Sequence, residues 1–217
     1  MTVSFHQYGN GFFPNSGHAL ARGVGLGKNY ALNVPLRPGI DDDTYNSLFH
    51  PVMKKVLEVF NPGAIILQCG SDSLAYDLLG ELNLSSKGHG GLVDYILGFG
   101  IPTIMTGGGG YNLPNVAKLW AYETSIAVQT DLPKYIPKTV FASEFSEDKE
   151  LLVPSRPSTQ NKNDSKYLDH LKIKVAEGLR ELMNSPGVRI GESKAKDVKA
   201  KIAEKMEIEE ERKESKV

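Results

Sequence analysis

Asp72 and Tyr111 are the side chains in this sequence best placed to do chemistry, because each stands in a turn that follows a short apolar run. Asp72 lies in Gly70-Ser71-Asp72-Ser73, directly after Ala64-Ile65-Ile66-Leu67-Gln68-Cys69. A carboxylate there can hold a divalent metal, or it can cap the turn by accepting from nearby backbone N–H groups. One aspartate is not a zinc site, which takes three or four ligands. Tyr111 closes Gly107-Gly108-Gly109-Gly110-Tyr111, after Ile104-Met105. Glycine loses more conformational freedom on folding than any other residue, so four in a row imply a need: close backbone approach to a ligand, or turns with positive φ. A phenol hydroxyl at the end of such a loop can donate to a developing oxyanion; a tyrosine there can equally pack as part of the core. Phe12-Phe13-Pro14, in a Gly/Asn-rich loop, fits a channel lining or a small satellite core beneath the loop. The histidines are His6, His18, His50, His89 and His170. None adjoins another or stands in an Asp-x-His or His-x-x-x-His spacing. His50 among lysines and His170 beside Asp169 read as solvated, and no complete metal site or His-activated nucleophile emerges.

The elements that must position these residues are legible from periodicity. Residues 2–6 alternate like a strand, and residues 30–36 read as a second, stopped by Pro35 and Pro38-Gly39. Asp41-Asp42-Asp43 supplies an N-cap and first-turn charge for a helix. Its inward face is Tyr45, Leu48, Phe49, Val52, Met53, Val56, Leu57 and Phe60, and Asn61-Pro62-Gly63 ends it. The run at 64–69 reads as a strand buried on both faces. Leu92, Tyr95, Ile96 and Phe99 suggest a helix, residues 103–106 a strand, and a helix begins near Pro114 with Val116, Leu119 and Trp120 inward. Residues 165–183 form an amphipathic helix through Leu168, Leu171, Val175, Leu179 and Leu182. Strand–helix alternation with short connections means parallel strands. Ligands gather beyond the carboxyl ends of such strands, so Asp72 and Tyr111 are expected on one rim.

The chain has 217 residues, 40% hydrophobic and 24% charged, enough for one domain with a real core plus a tail. A net charge of −1 gives no electrostatic case for direct nucleic-acid or membrane binding. No apolar run approaches the ~20 residues of a membrane-spanning helix. The start lacks the basic and apolar regions of a secretory signal. The single cysteine, Cys69, cannot form an internal disulfide. Asn83 and Asn163 open glycosylation-type triplets that read as chance. Beyond residue 190, lysines and acids alternate densely, as in a solvated helix or a disordered tail.

Several segments together resemble class I histone deacetylases: MTVSFH at 1–6, Phe12-Phe13-Pro14, Asn33-Val34-Pro35-Leu36, Gly39-Ile40-Asp41-Asp42, LQCGSDSL at 67–74, GGGGY at 107–111, Asn115-Val116-Ala117 and Trp120-Ala121-Tyr122-Glu123-Thr124. The resemblance runs in order over residues 1–188, leaving 189–217 as the charged tail. It implies an α/β fold of the arginase/deacetylase type, a three-layer parallel sheet with helices on both faces. It implies zinc-dependent hydrolysis of N6-acetyl-lysine on histones, with Asp72 as a zinc ligand and Tyr111 as the catalytic donor to the oxyanion. Phe13, Leu79 and Gly109 match the acetyl-lysine tunnel, and Ser4, Phe5 and Tyr30 match structural potassium sites. Acetylated histone tails, corepressor subunits, a role in transcriptional repression and a nuclear location, with the cytoplasm second, follow from the same resemblance.

The resemblance also implies what is missing. The family's adjacent His-His pair, its first metal aspartate, its metal histidine and its rim aspartate precede the matched region. The chain is therefore expected to be the C-terminal half of the catalytic domain, truncated on the N-terminal side and catalytically incomplete alone, with strand edges and apolar sheet faces left open. The alternative is a non-catalytic relic that acts as a protein-binding module. Leu78 and Pro114 stand where corepressor-bound members carry arginines for an inositol phosphate, so that form of activation is not carried over.

Overall fold

The structure, a computed structural model, describes residues 1–145 and 149–183. The charged tail beyond residue 188 lies outside the described residues.

Strand β1 (Thr2–Gln7) pairs in parallel with β2 (Ala31–Leu36), with Thr2 opposite Ala31. Strand β3 (Ile65–Gln68) pairs in parallel with β4 (Thr103–Thr106), with Ile65 opposite Thr103. Among the described residues these form two separate two-stranded sheets rather than one continuous sheet. A cavity of about 300 Å³ borders both pairs, lined by Val3 and Phe5 from one and Ile65 and Leu67 from the other. The fold is thus α/β, with its strands in parallel pairs.

Helix α1 (Asp42–Phe60) begins where the sequence predicts, because the Asp41 carboxylate accepts from the Thr44 N–H at 2.9 Å. It ends at Asn61, whose left-handed φ of +50° halts the helical path. Its face from Tyr45 to Leu57 is buried, with Met53 and Phe60 packed at the margin. Helix α2 (Ser86–Leu97) is capped by Ser85, which in turn donates to Asp42, tying the starts of α1 and α2 together. Helix α3 (Leu113–Ala127) follows the glycine loop, and Asn112 caps it. Helix α4 (Ser165–Met183) buries Leu171, Val175, Leu179 and Leu182 against β2 and α1. None of the described helices is long and apolar enough to cross a membrane.

Two expectations change. The run at 64–69 is not buried on both faces: Ile66 is 75% exposed and its cross-strand neighbour Ile104 64% exposed, because no described element covers that side of β3 and β4. His50 is not solvated among its lysines; it stacks on the Tyr95 ring at 4.2 Å, and burial lowers its pKa. Asn83 and Asn163 are both buried, holding the backbone of Arg156 and Arg37 respectively.

Candidate active site

Two loops at the carboxyl ends of β3 and β4 interlock. The Ser71 N–H donates to the Gly109 carbonyl at 2.7 Å, and the Ser71 hydroxyl donates to the same oxygen at 3.2 Å. Asp77 is the second tie. One carboxylate oxygen accepts from Leu79 N–H at 2.9 Å and Gly80 N–H at 2.8 Å, and the other accepts from Tyr111 N–H at 2.8 Å. Asn112 closes the junction by donating its amide to the Tyr76 carbonyl at 3.0 Å.

Asp72 sits between the loops, on the short 3-10 turn Ser71–Ser73. Its carboxylate lies against the backbone of Gly109, where a Cβ would stand 2.1 Å from Oδ2. A Cβ at Gly108 would stand 2.8 Å from the Gly70 Cα. The glycine run therefore answers a need inside the chain: its backbone packs directly on the turn that carries Asp72. Burial, reinforced by repulsion from Asp77, holds the Asp72 carboxyl above the ordinary carboxylate range, while its own backbone N–H and nearby His89 pull the other way. A half-buried, destabilised carboxylate of this kind favours a cation or a proton.

The remaining sequence-predicted residues are placed less tightly. Tyr111 is anchored by its backbone, and its residue surface is 47% exposed. Phe13 is 86% exposed, so it belongs to no satellite core, and Leu79 is 61% exposed. Ser4 and Phe5 lie on β1, and Tyr30 just precedes β2, its carbonyl accepting from the Thr2 N–H at 2.8 Å. The Ser4 hydroxyl pairs with His6 Nδ1 at 2.8 Å, and Phe5 packs on Phe49 at 5.0 Å. Among the described residues no group of three or more His, Cys, Asp or Glu converges as a metal site. Asp72 could offer at most one ligand, and the described residues by themselves do not fit a zinc ion.

Sequence reasoning missed Asp77, His89 and Glu123. Asp77 had a readable signal, an aspartate three residues before a glycine, as in an Asx turn. His89 and Glu123 had another: each stands at helical spacing on an apolar face, His89 with Leu92 and Val93, and Glu123 with Leu119 and Trp120. The two side chains pair, His89 Nδ1 with Glu123 Oε1, and both are buried. Burial, with the Glu123 carboxylate alongside, pushes the neighbouring Cys69 thiol up to about 12, so it is inert as a nucleophile at neutral pH.

Fold and site together define an α/β protein whose polar centre lies just beyond the carboxyl ends of paired parallel strands. The Histone deacetylase domain model matches residues 1–127, and the chain belongs to the histone deacetylase family. Histone deacetylase 1 of Homo sapiens is 47% identical over 191 residues, covering 88% of this chain and 39% of that protein. Histone deacetylase HDAC1 of Drosophila melanogaster is 45% identical over 190 residues, 88% of this chain and 36% of its own length. Histone deacetylase 9 of Arabidopsis thaliana is 44% identical over 192 residues, 88% of this chain and 45% of its own length. The chain thus spans less than half the length of each of these relatives.

Proposed function

We propose that this chain supplies one part of a zinc-dependent hydrolase of N6-acetyl-lysine on histone tails. Asp72 is one zinc ligand, and Tyr111 donates its hydroxyl to the oxyanion of the tetrahedral intermediate. Phe13, Leu79 and Gly109 border the acetyl-lysine stem, and Ser4, Phe5 and Tyr30 contribute to structural potassium sites. In this reading residues 1–188 belong to a catalytic domain in which the two strand pairs join one three-layer sheet, and residues 189–217 are a charged tail. The protein works in the nucleus with corepressor subunits.

The observation that carries this reading is the packing of the Asp72 carboxylate on Gly109 at the foot of the Tyr111 loop. It joins the turn that carries Asp72 to the loop that ends in Tyr111. Because the described residues hold no group of three metal-ligating side chains, the 217-residue chain alone is expected to release no acetate from an acetyl-lysine peptide supplied with zinc. That same observation favours the second reading, a non-catalytic module that binds partners through its surface.

A chimera separates the two. The aligned segment of human histone deacetylase 1 is replaced by the matching residues of this chain. The deacetylase reading expects acetate release that falls by at least about a hundredfold in Asp72→Ala and Tyr111→Phe versions. A folded chimera with no turnover, or turnover indifferent to Asp72, overturns it in favour of the binding module.

A further inference from the structure

Two helices grip the first residues beyond β3 from outside. Trp120, on α3, donates its Nε1–H to the Cys69 carbonyl at 2.8 Å. His89, on α2, lies 3.1 Å from the Gly70 carbonyl through Nε2. A carbonyl oxygen only accepts, so Nε2 is the donor. The other ring nitrogen, Nδ1, shares a hydrogen with Glu123 Oε1. Glu123 stands one turn after Trp120 on α3, so one face of that helix reaches both carbonyls, directly through Trp120 and through His89. The carbonyls belong to the two residues before Ser71, whose N–H and hydroxyl both hold Gly109. Asp72 comes next, seated on that same Gly109.

A buried imidazole–carboxylate pair is a poor way to stabilise a helix contact, since apolar side chains of similar volume do as well or better. Its directional bonds do something apolar packing cannot: they fix where a carbonyl points. We propose that His89, Glu123 and Trp120 are positioning residues that orient the Cys69–Gly70 turn and so hold the Asp72 carboxylate against Gly109. The inference rests on the reading of Asp72 as a functional carboxylate. It makes α3 the common reference for both loops: its N-terminus continues from the Tyr111 loop, and its buried face holds the Asp72 turn.

Amide hydrogen exchange on the 217-residue chain without metal tests this. The reporters are the Ser71 N–H, bonded to Gly109, and the Leu74 N–H, bonded to Ser71. The Tyr8 N–H, bonded to Leu36 in the other sheet, is the control. His89→Phe and Glu123→Ala are expected to speed exchange at Ser71 and Leu74 by about tenfold or more, with Tyr8 unchanged. Glu123→Gln, which still offers Nδ1 a hydrogen-bonding partner, is expected to stay within about threefold. Trp120→Phe keeps an aromatic ring but loses the indole donor and its five-membered ring, and is expected to speed Ser71 selectively.

Equal acceleration at Ser71 and Tyr8 reveals a merely structural role and overturns the proposal. So does unchanged exchange at Ser71, or a Gln variant that behaves like the Ala variant. Should the His89 or Ala variant fail to fold, Trp120→Phe decides: selective acceleration at Ser71 supports the proposal, and its absence overturns it. No deacetylation enters the measurement, so a failed chimera leaves these exchange rates standing.

Discussion

Gly109 and Asp72 are coupled so closely that the cost of changing one depends on the other. A Cβ on residue 109 would meet Oδ2 at 2.1 Å and Cγ at 2.7 Å. Gly109→Ala must therefore push the carboxylate aside or shift the loop, an overpacking cost of about 1–3 kcal/mol. In an Asp72→Ala background the obstructing atoms are gone, and the same change is expected to cost under about 0.5 kcal/mol. Urea unfolding of the four proteins in the cycle measures the coupling, and additive costs would show that the two residues do not touch. The sequence announced that the glycine run needed close approach, but not to what. Ligand and neighbouring loop demand the same residue, and only three-dimensional proximity of residues 37 positions apart distinguishes them. For the same reason Asp77 escaped notice: its carboxylate bridges to Tyr111 across 34 positions.

At the scale of elements, local rules carried the reading far. Helix α4 spans the predicted residues 165–183, and α1 starts within a residue of its expected cap. Capping is a contact across three residues, so sequence alone exposes it. Asp41 illustrates how such a cap gains a tertiary component. Burial works against ionisation of its carboxyl, but hydrogen bonds from Thr44 and Asn161 outweigh burial and hold the pKa below the ordinary value. A carboxyl with a depressed folded pKa stabilises above its unfolded pKa, and that stability fades as pH falls through the folded one. Asp41→Ala is thus expected to lose about 1 kcal/mol at pH 7. Its deficit against the parent chain should shrink as the pH drops below the ordinary carboxylate value. Denaturant midpoints at neutral and acid pH measure it; a deficit that stays constant with pH removes the charged form from the explanation. What local rules could not show is pairing between helices. His89 and Glu123 break the apolar pattern of α2 and α3, and each break makes sense only beside the other.

For the whole molecule, the informative surface is the bare side of β3 and β4. A continuous apolar run reads alike whether one sheet face is buried or two, because the second face is decided by what packs there and not by the strand itself. Ile66 and Ile104 stand directly opposite one another on that bare side. Adjacent exposed isoleucines on a two-stranded sheet invite association with any apolar partner, including a second copy. The 217-residue chain is therefore expected to sediment faster as its concentration rises. The double change Ile66→Lys with Ile104→Glu puts an opposite-charge pair across the strands, which keeps the pairing favourable while removing the apolar face. It is expected to abolish the concentration dependence without lowering Tm, since neither side chain contributes to the buried core. If the variant associates as strongly as the parent, the bare face is not the adhesive surface. In the chimera the same pair should have the opposite consequence. There the deacetylase reading expects the face to be covered, and two charges beneath that cover carry a desolvation penalty of several kcal/mol per ion unless their pairing is excellent. A substitution that improves the isolated chain and damages the chimera would show that this face is covered in the chimera.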